Sequence, residues 1–105
     1  MTPRIYPAII VRVIDGDTLV ARADLGFRTF FEDSFRLVRC NAPEGKRSEA
    51  ATYLCTLLPA GKAVTLTSYK PEKFGRWLVD LRWDECESLV VRLVERGFVT
   101  PYAKR

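Results

Sequence analysis

The stretch Val13 to Leu19, VIDGDTL, sets two carboxylates at the bend between two β-branched runs. Asp15-Gly16 is accounted for by chain reversal, because a tight two-residue turn needs positive backbone angles that Asp-Gly supplies. Asp17 is surplus to that turn. With Thr18 behind it, Asp17 places anionic oxygen at a strand mouth where a hard cation could be held, although solvated turn aspartates are the plainer account of such a short motif. Two later stretches also carry polar side chains that a small β fold does not require. They are FRLVRCNAPE, from Phe35 to Glu44, and KFGRWL, from Lys73 to Leu78. The chain contains no histidine, which removes His general bases, Ser-His triads and His-metal nucleases together. Catalysis here would have to use carboxylates and arginines, with or without a metal.

The elements that must position these residues follow from periodicity. Tyr6 to Val13 reads as a strand, Thr18 to Leu25 as its partner, and Phe27 to Phe31 as the start of a third. A bulge or bend at Glu32-Asp33-Ser34 is expected before Phe35 to Arg39 resumes that strand. Asn41 to Gly45 reads as a loop because Pro43 lacks a donor and biases Ala42 away from the helical region. Ser48 is the expected N-cap of a helix whose apolar residues recur to Leu58 and which Pro59-Ala60-Gly61 ends. Ala63 to Tyr69 alternates as a half-buried strand, and Arg76 to Trp83 returns as the fifth. Ser88 caps a last helix that Arg96-Gly97 closes. This order predicts an α+β chain, mainly β: a five-stranded closed barrel of the OB type with two helices.

At 105 residues the expectation is one domain spanning 1–105. No apolar run approaches the roughly 18 residues of a membrane helix. The short apolar run near the N-terminus is too little for a signal peptide, so a cytoplasmic location is expected and a membrane role is not. Cys40, Cys55 and Cys86 contain no CxxC pair and read as reduced, mostly buried thiols. A net charge of +4 mildly favours a polyanionic partner. Trp77, Trp83, Phe27 and Phe35 are assigned to the core.

The succession VIDGDTL, FRLVRCNAPE, KFGRWL and a final helix ending LVERG resembles the staphylococcal nuclease-like (thermonuclease) family along almost the whole chain. The resemblance implies an OB barrel that binds calcium and cleaves phosphodiester bonds in DNA or RNA, here as a monomer. It implies Asp17, Asn41 and the Ala42 carbonyl around the metal, Arg36 and Arg76 on phosphate, and Glu44 at the attacking water. Lys73, Phe74 and Tyr102 would contact substrate. Asn41 stands where the family's best-known nuclease has an aspartate, so the metal loses one negative charge. Phe74 stands where a tyrosine is common and keeps a ring for stacking.

The residue types suit the task. Attack on a phosphodiester builds negative charge on phosphoryl oxygens, which two forked guanidiniums can oppose. Taken singly, Arg36 and Arg76 are ordinary strand arginines whose stems cover apolar surface, and Glu44 is a loop carboxylate. The alternative expectation is a catalytically weak or inactive nucleic-acid-binding or protein-interaction module on the same barrel.

Overall fold

The β-branched and alternating runs form strands that close on one another in a computed structural model, which describes residues 4–41, 47–71 and 75–101. Strand β1 (Arg4–Asp15) pairs antiparallel with β2 (Thr18–Gly26), and β2 with β3 (Thr29–Leu37). After helix α1 (Arg47–Leu57), strand β5 (Ala63–Pro71) pairs antiparallel with both β1 and β6 (Trp77–Arg82). Parallel pairing of β3 with β6 closes a barrel in the order β1-β2-β3-β6-β5. With two helices it is an α+β barrel of the OB type, as the order of elements predicted.

Alternation decides what fills it. Ile10, Leu19, Ala21, Phe35, Leu37, Leu66, Val79 and Leu81 point inward and are buried, and Leu54 and Leu58 from the α1 region join them. Burying each such aliphatic side chain contributes about 1.5–3 kcal/mol. Helix α2 (Leu89–Glu95) adds Leu89, Val90 and Leu93. Its ends follow the predicted chemistry. The Ser88 hydroxyl accepts from the Val91 N–H at 3.2 Å. At the other end Gly97 adopts φ 77°, Phe98 N–H donates to Leu93 O, and Gly97 N–H donates to Val94 O. These are the paired bonds of a Schellman motif.

Several local expectations are corrected. Strand β3 runs without a register shift from Phe30 to Arg36, so Glu32-Asp33-Ser34 is neither bulge nor bend; the irregularities lie in β1, between Ile10 and Arg12 and between Val13 and Asp15, in β2 between Asp24 and Gly26, and in β5 between Ser68 and Pro71. Helix α1 begins at Arg47, which puts Ser48 inside its first turn, where the Ser48 carbonyl accepts from the Thr52 hydroxyl. The cysteines are as expected, all three free, with Cys40 and Cys86 buried and Cys55 exposed. Phe27 leaves the expected core altogether: it sits on the β2–β3 turn, fully exposed. A two-residue strand β4 (Cys40–Asn41), pairing with β7 (Thr100–Pro101), had no signal in the sequence. Among the described residues no helix is long and apolar enough to cross a membrane.

Candidate functional site

The β1–β2 turn consists of Gly16 and Asp17, and neither has a positive φ. The bend is therefore not the left-handed Asp-Gly turn that the sequence suggested. It is fixed by contacts. Asp15 Oδ1 accepts the Gly16 N–H at 2.7 Å, and the Asp17 carbonyl accepts the Leu37 N–H at 2.9 Å, which fastens the turn to the end of β3.

That fastening buries Asp17, which keeps 5% of its surface. Its Oδ1 accepts from the Thr18 hydroxyl at 3.1 Å, and its Oδ2 faces Arg36 Nη2 at 3.5 Å. Register explains the meeting, because Thr18 lies directly across from Arg36 on β3. Arg36 alternates with the buried Phe35 and Leu37, so it faces outward, with 20% of its side chain open to solvent. The separation exceeds the about 2.7–2.9 Å of a tight charge-assisted bond, so Asp17 orients the guanidinium without clamping it.

The same Nη2 also donates to the Cys40 carbonyl at 3.4 Å. Arg36 thereby ties the β1–β2 turn to β4, and Asn41 is the next residue along. The Cys40 thiol inside this junction is pushed up from 9.0 to about 12, first by burial and then by the negative charge of Asp17, with Arg36 acting in the opposite direction and Asp80 reinforcing the rise. It stays neutral and is not a nucleophile at ordinary pH.

Arg76 enters from the neighbouring strand. Trp77 pairs with Phe35 and Leu78 with Arg36, and Arg76 is the residue before β6. Strand spacing sets positions 36 and 76 roughly 8 Å apart at the backbone. Arg76 is half-buried. Asp17 and Arg36 are thus brought into contact, and Arg76 stands immediately before the adjoining strand. The side chain of Asn41, together with Ala42, Glu44, Lys73, Phe74 and Tyr102, lies outside the described residues.

Sequence reasoning passed over Arg39. It holds φ 60° in the turn between β3 and β4 and lays its guanidinium 5.2 Å over the Tyr69 ring. A left-handed conformation in a non-glycine residue costs about 1–3 kcal/mol and is most often retained near functional sites. The signal available was the second arginine of FRLVRCNAPE. Asp80, by contrast, is structural: it accepts from the Leu81 and Val90 N–H groups and from the Ser88 hydroxyl, joining β6 to the start of α2.

For a metal, the described residues offer one buried carboxylate with oxygen neighbours, a donor set suited to a hard cation and not to a thiophilic one. No group of three or more His, Cys, Asp or Glu side chains able to hold an ion occurs among them. No protein-family model matches the chain, and no curated protein matches it either.

Proposed function

We propose that the chain is a calcium-dependent nuclease of the staphylococcal nuclease-like type that hydrolyses phosphodiester bonds in DNA or RNA. The observation that supports this reading is the Asp17–Arg36 pair, a buried carboxylate orienting a part-exposed guanidinium beside the strand that Arg76 precedes. In the proposal Arg36 and Arg76 bind two phosphoryl oxygens and oppose the charge that grows there during attack. Glu44 orients the attacking water and takes its proton. Lys73, Phe74 and Tyr102 contact the substrate. Asp17, the Asn41 amide and the Ala42 carbonyl are the oxygens that would hold calcium. An ion held by these oxygens would supply Lewis-acid neutralisation of charge on phosphate.

A second reading, a barrel that binds nucleic acid or a protein without turnover, is favoured by Asn41 in place of an acid. One assay separates the two. Single-stranded DNA and plasmid are incubated with the protein in calcium and in excess chelator. The nuclease reading expects products in calcium and none in chelator. Binding to single strands that falls steeply with salt, and no products on prolonged incubation, selects the second reading.

A further inference from the structure

The inner face of the barrel is not filled at both ends. Helix α1 delivers the chain to the start of β5, and that end is packed with the buried aliphatics. At the opposite end, where β1 begins and β5 finishes, there is a cavity of about 680 Å³, within the about 300–1,000 Å³ of small-molecule sites. Five rings line it: Tyr6, Phe31, Phe35, Tyr69 and Trp77. Phe31 meets Phe35 edge to face, with centroids 6.1 Å apart. The polar groups of the lining, apart from the tyrosines, are Arg4 and Ser68, and the Arg39 guanidinium lies over the Tyr69 ring.

This cavity is separate from the Asp17–Arg36 site. Phe35 and Trp77 lie across from one another on β3 and β6 and face inward, whereas their neighbours Arg36 and Leu78 face outward from the same strands. The two sites stand back to back across one layer of sheet.

Rings make up half of the lining, with Ala23, Leu25 and Leu66 between them, and they select a flat π-surface, since each face of a planar ligand can stack or meet a ring edge. A guanidinium at the rim selects an anion on that ligand. We propose that the open end of the barrel binds a nucleoside monophosphate, its base among Phe31, Phe35 and Trp77 and its phosphate on Arg4. The preference for a nucleotide over another aromatic anion rests on the proposed nuclease function, for which such a molecule is a product.

The test uses Trp77 fluorescence in a Trp83→Phe background, which leaves Trp77 as the one tryptophan of the chain, with folding checked by circular dichroism. Adenosine monophosphate and adenosine are titrated in chelator, so no cleavage is involved. Saturable quenching by the monophosphate is expected, with adenosine at least about fivefold weaker. Arg4→Gln should erase that difference, and Phe31→Ala should weaken both ligands at least about fivefold. The proposal is overturned by no quenching at millimolar nucleotide, by quenching that neither substitution alters, or by 2-naphthoate or decanoate binding where the nucleotide does not. Quenching in a protein that never cleaves DNA would sink the nuclease and leave this site standing. Cleavage without quenching would do the reverse.

Discussion

Two hairpin turns of two residues each join the first three strands, and they are built in opposite ways. Gly16-Asp17 has the composition of a left-handed turn yet none of its angles, while Phe27-Arg28 has both residues left-handed, at φ 56° and 59°, with neither glycine nor asparagine present. The first is buried and tied to β3 by the Asp17 carbonyl and carboxylate. The second projects, with Phe27 fully exposed and Thr29 Oγ1 making a long 3.4 Å bond to the Phe27 carbonyl. Tertiary contact fixes the turn that packs against β3. Where no such contact exists, strand twist imposes the left-handed pair even on residues that resist it.

The largest effect expected from breaking this contrast is at the buried turn. Asp17→Ala leaves the turn without its carboxylate and Arg36 without that partner, and should cost about 1–3 kcal/mol in urea unfolding. No loss of stability would mean that the turn holds itself. Replacing Phe27-Arg28 by Asn-Gly should act in the other direction. Relief of two left-handed non-glycine residues is expected to add about 1–2 kcal/mol, with a rise in melting temperature of about 4–8 °C per kcal/mol. A lower melting temperature would show that the tip holds something in the native fold.

A smaller effect separates the thiols. At pH 8.5 iodoacetamide should label exposed Cys55 quickly and leave buried Cys40 and Cys86 untouched. Because the Cys40 thiol is raised to about 12, it ionises in the unfolded chain from about pH 9 but in the folded chain only near 12. Its contribution to stability is present below pH 9 and is lost as pH climbs through that window. Labelling of Cys40 at the rate of Cys55 would place it outside the junction described.

The barrel was legible because its signals are local: β-branched runs, the Ser88 cap, and Gly97 in the position that needs a left-handed residue. Asp17 and Arg36 were legible as candidates, one as an acid the turn did not need and the other through the family resemblance that FRLVRCNAPE carries. Their contact was not, since it depends on the Thr18–Arg36 register. The β4–β7 pairing escaped because two residues at each end carry no periodicity and the partners are about 60 positions apart. Phe27 was misassigned because hydrophobicity predicts burial only when the backbone turns the side chain inward. Of the five rings at the open barrel end, Phe35 and Trp77 read as core in the sequence, and Phe35 is buried there with Trp77 packed against the cluster.

The central claim is that Arg36, aimed by Asp17, recognises a phosphodiester as a planar fork. Arg36→Lys keeps the charge and removes the fork. With calcium and single-stranded DNA, kcat/KM for this variant should fall about 100-fold or more while its melting temperature changes little. Cleavage within threefold of the unsubstituted protein would contradict the account.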